Sequence, residues 1–407
     1  MQVLVWGIYL IIFCLPLYLV RFKIFSIPTT VLELLIYGLF VLWLIKGGYK
    51  GLQKLIKDNK GLFWPIILIL IGVTISTIFS WDLRVSAGIW KAWFIDPLLF
   101  FIVFVSVIKK DDLKNVFKAL ILSGFVVSII SLIYLIQGNL NFQGRLQGIY
   151  DSPNFLAMYL AVPLILSLWL SLRILLKNCP PKDTGRRPSE APPSVSASPL
   201  TMRLGLRRVF LVSSFLLLGI VLFFTKSFGA WMGILGALAF GLILYLYNQN
   251  KKKSALILIF LIFAIIFILG LVKINSLEGL RSFDARFIIW QKAWQTFNQY
   301  PLIGIGPGTF QDYFPLYPKW GVPQPHNLFL AFLLQAGIIG FIGFIWLILY
   351  FFKKNFKLLT TQYSLLIVVI MSYILIHGLV DTTYWKNDLS LIFWLIIGTM
   401  AVIKKEP

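Results

Sequence analysis

Ten ionisable side chains stand at or beside the ends of long apolar runs in this 407-residue chain: Arg145, Asp151, Lys226, Arg281, Asp284, Arg286, His326, His377, Asp381 and Asp388. An ionisable group beside hydrocarbon is expensive, so each is a functional candidate by default. The cations suit phosphate or pyrophosphate, because a guanidinium donates two parallel hydrogen bonds to such an anion. At an effective dielectric near 20, a pair of unit charges about 4 Å apart is worth roughly 4 kcal/mol before desolvation. Two cations could thus hold a lipid pyrophosphate and stabilise it as a leaving group. A neutral histidine beside it could accept the proton of an attacking hydroxyl. Other chemistries lack their residues. With two histidines and two cysteines, Cys14 and Cys179, there is no metal-ligand spacing. Gly304-Ile-Gly-Pro-Gly308 follows no predicted strand and reads as a surface turn, not a nucleotide loop. No Gly-x-Ser-x-Gly elbow occurs.

The elements that must position these residues are membrane helices. Hydrophobic residues make up 59% of the chain and charged residues 13%, against about 25% charged in soluble domains. Runs of roughly 20 apolar residues predict an all-α, polytopic transmembrane bundle of about 12 helices in a single domain, 1–407. The predicted spans are 3–20, 29–46, 62–80, 92–108, 116–136, 152–176, 209–225, 228–248, 254–273, 327–351, 362–380 and 388–403. The net charge of +22 raises the possibility of nucleic acid, but its distribution argues against that partner. The basic residues gather in short loops between apolar runs. Roughly two-thirds of the 37 lysines and arginines fall on one side if the amino terminus is cytosolic, including Lys46–Lys60, Lys109–Lys118, Lys251–Lys253 and Lys353–Lys357. Both termini are therefore expected in the cytosol. The run Val3–Val20 has neither a basic leader nor a cleavage site and reads as a retained helix.

Two loops stand apart. Residues 177–208 include Cys-Pro-Pro, Arg-Arg-Pro and Ala-Pro-Pro-Ser-Val-Ser-Ala-Ser-Pro, a composition that reads as a disordered cytosolic linker. The larger outer loop, 274–325 between helices nine and ten, mixes aromatics, charges, glycines and prolines. Within it Phe287, Trp290, Ala293, Trp294 and Phe297 recur at helical spacing and predict an amphipathic helix, ended by Pro301 and the glycine turn.

Several of these pieces resemble one family. Arg145-Leu-Gln-Gly-Ile-Tyr-Asp-Ser-Pro-Asn154-Phe-Leu-Ala resembles the R-x-x-G … P-N-x-x-A signature of the O-antigen ligases and polymerases. Arg286-Phe-Ile-Ile-Trp290, Pro301-Leu-Ile-Gly-Ile-Gly-Pro-Gly308, Pro325-His326-Asn327, Gly337-Ile-Ile-Gly340 and His377-Gly-Leu-Val-Asp381 resemble the remainder, in order, from about residue 20 to the end. Pro-His-Asn before a long apolar helix is the most specific piece. The resemblance implies a GT-C-like, inverting, metal-independent membrane glycosyltransferase without a nucleotide cofactor. Its donor would be a polyprenyl-pyrophosphate-linked glycan, and its acceptor a hydroxyl of a glycan, lipid A core or protein at the outer face of the bacterial inner membrane. It implies His326 as the base, Arg145 and Arg286 as pyrophosphate ligands, and supporting places for Asn154, Asn327 and Asp381. One departure stands out. Where the family often has Ser-Arg, this chain has Ser227-Phe228, with Lys226 two residues earlier as a possible point-charge substitute.

Each residue also has a plainer reading. His326, Asn154 and Asn327 suit helix caps; the arginines and Lys226 suit interfacial anchors; His377 suits a hydrogen bond to a neighbouring helix; and Asp381 either orients a cation or caps. Two other functions compete with transfer. A transporter or lipid-linked glycan flippase would place polar groups at the midplane on broken helices, and a silent scaffold would leave these residues scattered.

Overall fold

The computed structural model describes residues 1–25, 27–51, 57, 59–176, 199–251, 253–257, 277–313, 323–359 and 361–403. They form two compact units, Met1–Val116 with Phe228–Pro407, and Phe117–Ser227. Both are helical, as the apolar runs predict. Among the described residues, six helices are long and apolar enough to cross a membrane: Lys60–Ile78, Leu83–Val107, Lys110–Ile136, Pro153–Arg173, Phe228–Asn248 and Leu328–Phe356. Five shorter apolar helices accompany them: Gln2–Phe13, Val31–Ile45, Arg208–Phe224, Tyr363–His377 and Asn387–Val402. The expected span 254–273 lies largely outside the described residues, as does most of the expected linker. The linker's last residues, from Pro199, already belong to the helix that runs to Phe224.

Local chemistry explains where the boundaries moved. The first run is not one helix to residue 20: it stops at Phe13, and a tight turn over Leu15–Leu19 follows, with proline at its start. A two-stranded antiparallel hairpin, Arg21–Ile24 with Ile27–Thr30, then occupies the place where the second helix was expected to begin. That helix starts at Val31 because the Thr30 hydroxyl accepts from the Glu33 N–H, while Glu33 puts an acidic group in the first turn. The fourth span is longer than expected. Asp82 caps it by accepting from the Val85 N–H, and it continues through a wide, π-helical turn at Lys91–Ile95.

In the larger unit the helices Lys60–Ile78 and Leu328–Phe356 pack closely. A β-carbon on Gly72 would lie 2.2 Å from the backbone nitrogen of Gly340, so small residues set this approach. The second helix is broken in its interior. Gly337 has φ 64 and ψ −178, a conformation closed to side chains. The turn expected on the surface fills that break: Gly304 through Pro307 are buried. The Ile305 N–H donates to the Leu334 carbonyl at 2.8 Å, and the Ile338 N–H donates to the Pro301 carbonyl at 3.2 Å. The turn is buried because the broken helix offers backbone groups that need partners in an apolar interior. Ser76 and Ser86 hold it further, the Ser76 hydroxyl accepting from Gly306 N–H and the Ser86 hydroxyl donating to the Pro307 carbonyl.

The predicted amphipathic helix is present as Leu277–Gln299. Three of the five expected residues, Trp290, Ala293 and Phe297, lie on its packed face. Ile289 and Ala293 are buried against Ile305, Phe310 and Leu334, with Trp290 and Phe297 beside them, whereas Phe287 and Trp294 are exposed.

Candidate functional site

His326 enters the site through an unusual backbone. Its φ is 47, left-handed and uncommon for a residue with a side chain, and it stands two residues before the helix Leu328–Phe356. Asn327 ends that helix cleanly. Its Oδ1 accepts from the N–H groups of Phe329 and Leu330, and its amide nitrogen donates to the Leu379 carbonyl at 3.0 Å. The Leu328 N–H also donates to the Gly378 carbonyl at 2.7 Å. These bonds fasten the start of one helix to the end of another, Gln362–His377. That docking brings together two residues 55 positions apart: His326 Nδ1 lies 3.3 Å from Asp381 Oδ1.

The two partners differ in exposure. The Asp381 side chain is 4% exposed and that of His326 is 35% exposed, so the carboxylate is enclosed while the imidazole reaches the surface. Burial alone would raise the carboxyl's pKa. The hydrogen bond from His326, the nearby His377 and the Thr382 N–H outweigh it and hold Asp381 below the usual carboxylate range. The segment that follows is a rigid floor. Thr383 donates to the Ile374 carbonyl at 2.7 Å, and the Tyr384 hydroxyl donates to the Trp93 carbonyl in the wide turn at 2.7 Å. Tyr384 and Trp385 are buried among Phe94 and Phe332.

Arg286 reaches the same place from the amphipathic helix. Its Nε donates to the Val380 carbonyl at 3.2 Å, the residue next to Asp381. Four residues on, the Trp290 indole N–H donates to the His326 carbonyl at 3.4 Å, so one helix contacts both sides of the pair. Where a bond to a neighbouring helix is expected for His377, among the described residues its Nδ1 pairs with the Tyr373 hydroxyl of its own helix at 2.9 Å. It is buried, within electrostatic reach of Asp381 and Arg286. Of the predicted site residues, His326, Asn327, Asp381 and Arg286 therefore gather in the larger unit.

The smaller unit holds the others. Arg145 Nε donates to the Thr225 carbonyl at 2.9 Å, and one terminal nitrogen donates to Asn154 Oδ1 at 2.5 Å. Asn154 is thus an orienting partner for the guanidinium; the Ser152 hydroxyl takes the capping bond, from the Asn154 N–H. The Leu146 N–H donates to the Phe224 carbonyl at 3.0 Å, docking the Arg145 turn against the end of a helix. Lys226 follows that helix end in left-handed backbone, φ 50, and a β-carbon on Gly144 would lie 3.8 Å from its ammonium nitrogen. Lys226 and Arg145 are consequently neighbours, while Phe228, in the family's arginine position, is 43% exposed.

Sequence reasoning passed over Thr225, Tyr373, Gln324 and Gln335. The first acts through its carbonyl, which no side-chain pattern reveals. The others are polar residues in or beside apolar runs, and that misplaced polarity was the available signal.

These features define a multi-pass helical membrane protein that presents a histidine–carboxylate pair and cations near helix ends. Residues 213–345 match the family model described as O-antigen ligase, so this part of the chain is similar to that family. The matched stretch contains Lys226, Arg286, His326 and Asn327. No curated relative matches the chain.

Proposed function

We propose that this protein transfers a polyprenyl-pyrophosphate-linked glycan to an acceptor hydroxyl at the outer face of the bacterial inner membrane, with both chain termini in the cytosol. The observation that carries the reading is the 3.3 Å approach of His326 Nδ1 to the buried Asp381, with His326 lying in the stretch that matches the O-antigen ligase model. With the Nδ1 proton donated to Asp381, His326 Nε2 keeps its lone pair, on a side chain that is 35% exposed. The acceptor oxygen then attacks the donor's anomeric carbon while Nε2 takes the hydroxyl proton. The bond between that carbon and the pyrophosphate oxygen breaks, and pyrophosphate departs on its lipid. A single displacement of this kind inverts the anomeric centre, and no metal or nucleotide takes part.

Arg286 and Arg145, with Lys226 beside the latter, serve as ligands of the donor's phosphates. Each guanidinium is oriented by a carbonyl or amide oxygen, which fixes its direction. Asn154 and Asn327 support through the bonds described. A transporter would use the broken helix at Gly337, but the ends of that break are bonded to the inserted turn, which leaves little for a substrate to bind there. The test is reconstituted transfer from a defined lipid-pyrophosphate glycan. His326→Ala should lower the rate by about a hundredfold or more, with the protein still inserting in the membrane. Full activity in that variant would remove His326 as the base.

A further inference from the structure

Gln335 is fully buried in the turn of helix just before the Gly337 break. Both ends of its amide are engaged. Oε1 accepts from the Gly308 N–H at 2.7 Å, and Nε2 donates to Gln324 Oε1 at 2.8 Å. The orientation is not interchangeable: a backbone N–H can only donate, so Oε1 must face Gly308 and Nε2 must face Gln324. Gln324 is itself 7% exposed and lies two residues before His326. One side chain thus ties the inserted turn, at Gly308, to the segment that delivers His326.

That segment needs such a tie. His326 holds a left-handed backbone that its own residue type disfavours, and such a conformation persists where surrounding structure over-determines it. From the carboxyl side Asn327 and Leu328 fix it; Trp290 fixes its carbonyl. On the amino side, the Gln335 bond to Gln324 is the corresponding restraint. We propose that Gln335 is a positioning residue for proton transfer, holding Gln324 and hence His326 in register with Asp381. This deepens the transferase reading and rests on it for its kinetic consequence. It also explains why an uncharged polar residue stands inside an apolar helix, where an unsatisfied amide would be costly: its hydrogen-bonding groups are used to couple two chain segments that must keep a fixed separation.

The experiment uses the full chain in lipid nanodiscs. Gln335→Leu removes both bonds at similar volume, and Gln324→Leu removes only the one toward His326. Expected for both is a fall in kcat of about tenfold or more with the donor KM within twofold, and no further loss in the double variant, because the two residues act through one bond. The chain has two histidines, so a 15N-histidine spectrum separates His326 from His377. The Nδ1 signal of His326 hydrogen-bonded to Asp381 should weaken or shift in each variant while that of His377 stays. If Gln335→Leu fails to fold, Gln324→Leu carries the same test. Retention of both kcat and the His326 signal in Gln324→Leu overturns the proposal, as does a kcat loss that only follows the folded fraction. If the unaltered protein transfers no glycan, the transferase reading fails instead, and the His326 signal in the two variants still decides the positioning role.

Discussion

Two residues of this molecule, one in each unit, share a backbone habit and differ in everything attached to it. His326 and Lys226 both adopt left-handed φ, at 47 and 50, and each stands two residues before a long helix. A side chain in that conformation costs about 1–2 kcal/mol relative to glycine. His326 is met by a buried carboxylate at 3.3 Å, with Asn327 and Trp290 fixing its flanks. Lys226 is met by the turn that carries Arg145, its ammonium nitrogen 3.8 Å from where a β-carbon on Gly144 would stand. The same strain therefore supports two kinds of group. One is a base whose direction matters to a fraction of an ångström; the other is a point charge whose approximate position suffices.

Replacement by glycine breaks the comparison most sharply, since it removes the side chain and relieves the backbone together. His326→Gly relieves the backbone by about 1 kcal/mol but takes a partner from the buried Asp381 carboxylate, a loss of about 1–3 kcal/mol. Thermal stability should therefore fall slightly while glycan transfer drops by about a hundredfold or more. A stable, active His326→Gly protein would show that the strain serves no chemistry.

Asp381→Asn comes next. It keeps the shape but reverses half of the hydrogen-bonding capacity, so the imidazole can settle in the wrong tautomer; transfer should fall about tenfold to a hundredfold. The variant also exposes the pH linkage. The Asp381 carboxyl is held below its ordinary value of 3.8 in the folded protein. Its charged form therefore contributes stability that is fully present above that ordinary value and is lost as pH falls through the lower folded value. Melting temperatures of the parent and Asp381→Asn should differ by a constant amount from neutrality down to about pH 5, and should converge only in stronger acid. Convergence already near pH 6 would mean that the carboxylate is not paired as described.

The histidine half of this site was legible in the chain and its partnership was not. Pro-His-Asn ahead of an apolar run marks a helix start with a cap, and the cap is there. Asp381 could be placed only at a helix end, because its contact with His326 depends on two helices docking through the Leu328 and Gly378 backbones. The inserted turn shows the other limit. Gly304 to Gly308 reads as a surface turn from composition alone, since nothing local signals that Gly337 breaks a helix 30 residues later and leaves backbone groups to be filled. Likewise the hairpin formed by Arg21–Ile24 and Ile27–Thr30 is invisible to a search for long apolar runs, because its strands are four residues each and carry Arg21, Lys23, Thr29 and Thr30.

The arginines test how much of the chemistry is geometry and how much is charge. Arg145 is directed by the Thr225 carbonyl and Asn154, and Arg286 by the Val380 carbonyl. Lysine at either position keeps the charge but loses the planar fork, so Arg145→Lys and Arg286→Lys should each raise the donor KM by about tenfold. Asn154→Ala should reproduce part of the Arg145 effect, because it frees the guanidinium to turn.

Lys226→Gly has the smallest expected effect and is the most informative about the family's missing arginine. If Lys226 supplies a point charge beside Arg145, its loss should raise the donor KM by no more than about fivefold, since an exposed cation is largely screened, and kcat should hold. The backbone meanwhile gains about 1 kcal/mol from relief of its left-handed strain. Raising the salt concentration should erase the KM difference between Lys226→Gly and the parent while leaving the Arg145→Lys defect in place, because screening acts on charge and not on the fork. A Lys226→Gly defect that persists in high salt, or one that appears in kcat, would instead put the ammonium in direct contact with the leaving pyrophosphate and make the two left-handed residues equivalent after all.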